Sequence, residues 1–134
     1  AFPDKTLHGN GFVARLSGST AEFLQIWLIM NAGLKPFILN YKGDLNLQFK
    51  PILKGWLFRK KDNTYRFNFL SKITVTYHNP KRKDTFGKNA AKLQKTVFND
   101  KNGHPIEIPS NTIPPPYAQQ IRACQIKQID IYLG

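Results

Sequence analysis

The stretch Tyr65-Arg66-Phe67-Asn68-Phe69-Leu70-Ser71-Lys72-Ile73-Thr74-Val75-Thr76-Tyr77 decides the fold class. Tyr65, Phe67, Phe69, Ile73, Val75 and Tyr77 fall at odd positions, and Arg66, Asn68, Lys72, Thr74 and Thr76 at even ones. Successive side chains of a strand point to opposite faces, so this order makes one apolar and one polar surface and reads as β structure. It predicts either one long strand bent near Ser71 or two strands in the same phase.

Toward the amino terminus, Leu45, Leu47 and Phe49 alternate with Asn46, Gln48 and Lys50 after a Lys42-Gly43-Asp44 turn, which predicts another half-buried strand. Toward the carboxy terminus, Leu93 to Phe98, the Asn99-Asp100-Lys101-Asn102-Gly103 turn and Ile106 to Ile108 predict a hairpin. Pro114-Pro115-Pro116 stiffens the chain before a short helical turn around Tyr117 to Arg122, and Ile126, Ile129, Ile131 and Leu133 mark a last strand. At least six short strands with Pro- and Gly-marked turns argue for a mainly β fold, an antiparallel, jelly-roll-like β-sandwich.

One helix is expected ahead of that sandwich. Ser19-Thr20-Ala21-Glu22 has capping-box form, and Gly33 followed by Pro36 supplies a stop near Ala32. Phe23, Leu24, Ile26, Trp27, Leu28, Ile29 and Met30 leave this helix almost no polar face. Such a helix needs burial on all sides, or a partner body outside the chain. Residues 1 to 16, with Pro3, Gly9 and Gly11, read as an extended connection. The expected division is therefore 1–36, a leading segment with the long apolar helix, and 37–134, the β domain.

Composition narrows the functional classes. With 134 residues, 41% apolar and 13% aromatic content, the chain has material for one folded core but little for a catalytic domain plus an accessory module. The formal charge of +12 invites an anionic partner. Its cations are scattered through the chain, however, which favours a solvated basic surface over a nucleic-acid site. The tightest cluster, Lys81-Arg82-Lys83, follows Asn79-Pro80 and reads as a turn after a strand. The single Cys124 excludes an internal disulfide, which favours a reducing, cytoplasmic setting. No membrane span or secretion signal is legible, and a start at Ala1 fits either methionine removal or a fragment.

Catalytic constellations are sparse. His8, His78 and His104 lack metal-ligand spacing and read as structural or solvent-exposed, so no metal is expected. The carboxylates lie mostly in turns or caps, without a pair placed for acid/base work. Cys124 has no base marked nearby and reads as a buried thiol. The remaining feature is Arg15-Leu16-Ser17-Gly18-Ser19-Thr20 running into the helix. Exposed amides and the positive helix end favour an anion there, Gly18 permits close approach, and the Ser17 and Ser19 hydroxyls can donate. The same residues also read simply as a well-capped helix. The segment lacks the Lys of a P-loop, so nucleotide binding is not indicated.

Three stretches carry a family resemblance: residues 11–23 (Gly-Phe-Val-Ala-Arg-Leu-Ser-Gly-Ser-Thr-Ala-Glu-Phe), residues 47–58 (Leu-Gln-Phe-Lys-Pro-Ile-Leu-Lys-Gly-Trp-Leu-Phe) and residues 73–80 (Ile-Thr-Val-Thr-Tyr-His-Asn-Pro). Together with Ile113-Pro114-Pro115-Pro116-Tyr117-Ala118 and Ile129-Asp130-Ile131-Tyr132-Leu133, they resemble the carboxy-terminal end of 1,2-β-oligoglucan phosphorylases, in the wider cellobiose phosphorylase family. The resemblance covers nearly all of this chain but only the last fraction of such enzymes. It implies that residues 19 to 32 are a late helix of an α/α toroid and that residues 37 to 134 are a terminal jelly roll. It also implies that Ser17, Gly18 and Ser19 form part of an inorganic-phosphate site.

The implied reaction is inverting phosphorolysis of β-1,2-linked glucose oligosaccharides to glucose 1-phosphate, with no cofactor beyond phosphate as substrate. The catalytic acid would lie in segments this chain lacks, so no catalytic residue is assigned and no activity is expected of the chain alone. The partners implied are inorganic phosphate and β-glucan oligosaccharide through the missing catalytic part, and a larger chain or a second copy. Nucleic acid and membrane are not among them. The competing expectation is a free-standing basic β-sandwich that binds an oligosaccharide or anionic polymer through Lys81 to Lys83 and exposed Trp56 or Tyr residues.

Overall fold

The computed structural model describes residues 27–33 and 35–134. Within them the chain is mainly β, with eight strands in two sheets. β1 (Phe37–Leu39), β2 (Leu45–Gln48) and β7 (Thr112–Ile113) form a three-stranded antiparallel sheet in the order β1-β2-β7. β3 (Thr64–Phe69), β4 (Ile73–His78), β8 (Gln128–Leu133), β5 (Leu93–Asn99) and β6 (Pro105–Ile108) form a five-stranded sheet in the order β3-β4-β8-β5-β6.

The alternations read from sequence are realised. Leu45, Leu47 and Phe49 are buried on one sheet, and Phe67, Phe69, Ile73, Val75 and Tyr77 on the other. The two inner faces share one core, where the Phe49 ring meets Phe69 edge-on at 5.1 Å and Phe37 stacks on Phe69 at 5.8 Å. Burying these rings together with the Leu, Ile and Val side chains of the core favours folding, and offset or edge contacts between rings add to it.

The stretch around Ser71 turns out to be two strands. β3 and β4 pair antiparallel from Thr64↔His78 to Phe69↔Ile73 across a tight turn. Leu70 and Ser71 both take positive φ, 55° and 64°, the conformation of the hairpin turn whose twist matches the strands it joins. The β5–β6 hairpin also forms, paired from Thr96↔Ile108 to Asn99↔Pro105.

The expectation of an all-antiparallel sandwich is corrected. β8 lies between β4 and β5, parallel to β4 and antiparallel to β5, so the larger sheet is mixed. The long passage from His78 to Gln128 supplies the crossover that a parallel pair requires. That passage includes the short helix α1 (Tyr117–Arg122), which buries Ala118 and Ile121 in the core.

Of the long apolar helix expected over 19–32, residues 27–32 are helical, and 19–26 lie outside the described residues. A long helix without a polar face is thus not part of the described fold. The stop is as read: Gly33 has φ 100°, and its amide donates to the Ile29 carbonyl at 2.8 Å. The chain beyond β2 satisfies two further carbonyls of this turn, the Lys50 amide donating to Ala32 (3.0 Å) and the Ile52 amide to Met30 (2.7 Å). Asn31 and Ala32 are buried against the sheets, while Leu28 on another side is 49% exposed.

Candidate functional site

Ser17, Gly18 and Ser19 lie outside the described residues, as does His8. What the structure does place is the turn downstream of them. Residues 27–32, together with Pro36, Phe37 and the tip of the β3–β4 hairpin, border an apolar groove of about 690 Å³ that includes Trp27, Leu28, Phe69 and Leu70. The groove has the size of a ligand or docking cavity but offers few polar groups to orient a small molecule. Among the described residues, one side of the helical turn is therefore seated on the sheets, and another borders apolar space.

The Lys81–Lys83 cluster is a braced turn. Asn79 is buried, its side-chain amide donating to the Lys83 carbonyl at 2.7 Å and its Oδ1 accepting from the Lys83 amide at 3.3 Å. Arg82, at φ 48°, turns its guanidinium into the fold, where it donates to the Phe58 carbonyl at 3.0 Å. Arg82 is therefore a structural cation, and Lys81 and Lys83 remain for any partner.

Sequence reading did not detect what sits beneath this turn. Gly55 opens a 3-10 turn, Gly55–Leu57, pressed so closely on Arg82 that a Cβ at Gly55 would lie 2.0 Å from the Arg82 carbonyl oxygen. Asp84 accepts from the Gly55 amide at 2.8 Å and pairs with Lys54 at 3.6 Å, and the Lys54 ammonium lies 5.4 Å from the centre of the Phe86 ring. These contacts present Trp56, 73% exposed, beside the basic turn. An exposed indole next to cations can stack on a sugar or a base. The residues that meet here are distant in sequence, and the only local signal was a Gly followed by a Trp.

A third polar group lies on the outer face of the five-stranded sheet. His78 contacts Asp130 Oδ1 at 2.9 Å and stacks on Tyr132 at 4.4 Å, with Lys95 on the Tyr132 ring at 5.1 Å and paired to Glu107 at 3.5 Å. These cross-strand pairs hold one another on the sheet surface. The His104 side chain is 73% exposed. Cys124 is half-buried against the core at φ 58°. Among the described residues no group of His, Cys, Asp and Glu is arranged to hold a metal ion, and no helix is long and apolar enough to cross a membrane.

The titration shifts belong to the scaffold. Burial pushes the Tyr77 phenol well above its ordinary value and raises Tyr65 as well. The Arg59 guanidinium, then the Thr64 hydroxyl, hold the Asp62 carboxyl well below the usual carboxylate range. The His104 amide chiefly, and the Asn102 amide, lower Asp100 in the β5–β6 turn. None of these groups faces the apolar groove or the Trp56 turn in a way that marks an acid, base or nucleophile.

Comparison with protein-family models, with curated proteins and with solved structures returned no match.

Proposed function

We propose that this chain is the carboxy-terminal part of an inverting glycoside phosphorylase acting on β-1,2-linked glucose oligosaccharides. The observation that carries the reading is the helical turn at 27–32, seated on the β domain by Asn31 and Ala32 while Leu28 and the apolar groove beside it stay open. A turn of this kind suits packing against a further helical body, and the stretches that resemble the phosphorylases supply that body's identity. In this reading residues 37–134 are the terminal β domain with jelly-roll ancestry, and 1–36 hold the last toroid helix. Ser17, Gly18 and Ser19 then contribute to an inorganic-phosphate cradle in a cytoplasmic enzyme. The catalytic acid belongs to the missing body, and phosphate is the only small molecule required besides the glucan.

Two measurements test this. The chain alone, given β-1,2-glucan and phosphate, releases no glucose 1-phosphate; release would overturn its incompleteness. Inorganic phosphate shifts the amide resonances of Ser17, Gly18 and Ser19, and unchanged resonances would remove the cradle.

A second reading, a basic β-sandwich that binds an oligosaccharide or anionic polymer, is favoured by Trp56 standing exposed in the turn that packs against the Arg82–Lys83 backbone. Quenching of Trp56 fluorescence by a β-glucan oligosaccharide or by single-stranded nucleic acid, lost in Trp56→Ala, supports it. Salt sensitivity separates the polymer from the sugar. Unchanged fluorescence with both ligands at low salt removes this reading.

A further inference from the structure

A second groove, of about 470 Å³, lies on the β domain and shares no lining residue with the apolar groove. Its walls come from the segment after β2 (Phe49, Lys50, Pro51), the loop leading into β5 (Lys92, Leu93) and the stretch ahead of β7 (Ser110, Asn111). Main-chain bonds and the Thr85 hydroxyl fix these walls. Lys92 and Gly134 exchange amide-to-carbonyl bonds at 3.0 and 2.9 Å, and the Thr85 hydroxyl donates to Pro51 at 2.8 Å while accepting from the Leu53 amide at 2.8 Å.

The chemistry of the lining is one-sided. Lys50 and Lys92 are both exposed, neither forms an ion pair among the described residues, and no carboxylate lines the groove. The Thr112 amide donates to Ser110 Oγ at 3.1 Å, and the Thr112 hydroxyl to Asn111 Oδ1 at 3.2 Å, which leaves the Ser110 hydroxyl hydrogen and the Asn111 amide hydrogens to donate outward. Phe49, Leu93 and Leu133 give the groove an apolar floor. Two lysines without an ion pair among the described residues match the charge of a phosphate monoester, which carries close to two negative charges at neutral pH, better than that of a single carboxylate. The hydroxyl, the amide and the apolar floor suit a hydroxylated carbon skeleton, and the volume lies within the range of small-ligand sites.

We propose that the groove between Lys50 and Lys92 binds a phosphorylated sugar or a similar small phosphate monoester. The proposal uses none of Ser17, Gly18 and Ser19 and stands or falls independently of the phosphorylase reading.

The test titrates the whole chain with glucose 6-phosphate, glucose and inorganic phosphate, following the amide resonances of Lys50, Lys92, Ser110 and Asn111. The expected result is saturable shifts at these amides with glucose 6-phosphate, weaker at higher salt, none with glucose, and weaker binding of phosphate alone. Lys50→Gln and Lys92→Gln each weaken binding roughly threefold and the double variant about tenfold, while Lys92→Arg retains most of it. Equal binding of inorganic phosphate and glucose 6-phosphate would overturn the sugar-phosphate assignment. Shifts confined to residues 17–19, or binding unchanged in the double variant, would overturn the site, because these exposed lysines leave the melting temperature of the variants near that of the parent.

Discussion

The Tyr77 hydroxyl donates to the Asn31 carbonyl at 2.6 Å, joining the carboxy-terminal end of β4 to the last turn of the helical stretch. Tyr77 is wholly buried, and its ring stacks on Phe67 at 5.7 Å and meets Phe49 edge-on at 6.5 Å. The bond satisfies a carbonyl at a helix end, where no intrahelical donor remains, and so holds the helical turn on the β domain.

Tyr77→Phe removes this donor while keeping the ring. It leaves a buried carbonyl unpaired and lowers stability by about 1.5 kcal/mol, read as a lower urea midpoint with unchanged slope. The loss is expected to show as faster amide exchange in residues 27–32 before the sheets are affected.

Gly55→Ala places a methyl group where the Arg82 carbonyl stands, 2.0 Å from the built Cβ. Neither partner is a flexible side-chain end, so one turn must move off the other. Stability falls by about 3 kcal/mol in denaturant titration, whereas the neighbouring exposed Trp56→Ala changes it by less than about 0.5 kcal/mol.

Leu70→Asn with Ser71→Gly puts the residues favoured at positive φ into the β3–β4 turn. The double variant is expected to be more stable by about 1 kcal/mol, read as a raised melting temperature.

That same turn shows where the sequence stopped being legible. The phase of Phe67, Phe69, Ile73, Val75 and Tyr77 was readable because a buried sheet face imposes period two. The reversal at Leu70-Ser71 was not, because neither residue is a typical left-handed turn former and the fold overrides their preference. Asn99 to Gly103 carries ordinary turn chemistry, and there the hairpin was readable. Gly33 was readable as a helix stop, since a glycine after an apolar run is a local signal. The parallel placement of β8 was not legible, because it depends on which distant strand Ile129 and Ile131 meet. Trp56 and Lys81 to Lys83 were readable as one alternative surface, but the close approach of Gly55 to Arg82 beneath it and the Lys50–Lys92 groove were not, since residues far apart in the chain build them.

Stability should fall at both ends of the pH range. Asp62 and Asp100 titrate below their ordinary values in the folded chain, so their contribution is present above the unfolded carboxylate pKa near 4 and is lost as pH drops through the folded values. Tyr77 is shifted upward, so above about pH 10 the unfolded chain releases its proton first and stability falls as pH rises further. Denaturant midpoints measured against pH are expected to drop on both sides. Asp62→Asn flattens the acid side and Tyr77→Phe the alkaline side.

β8 is inserted between two hairpins that are each local in sequence, with Ile129 and Ile131 meeting Val75 and Tyr77 on one flank and Phe98 and Thr96 on the other. During synthesis both hairpins can close before this ribbon leaves the ribosome, and until it docks each offers a bare margin of amides and carbonyls to any strand nearby. A chain cut after Lys127 would therefore yield two unjoined ribbons prone to clumping, which makes the last few residues the keystone of solubility as well as of the sheet.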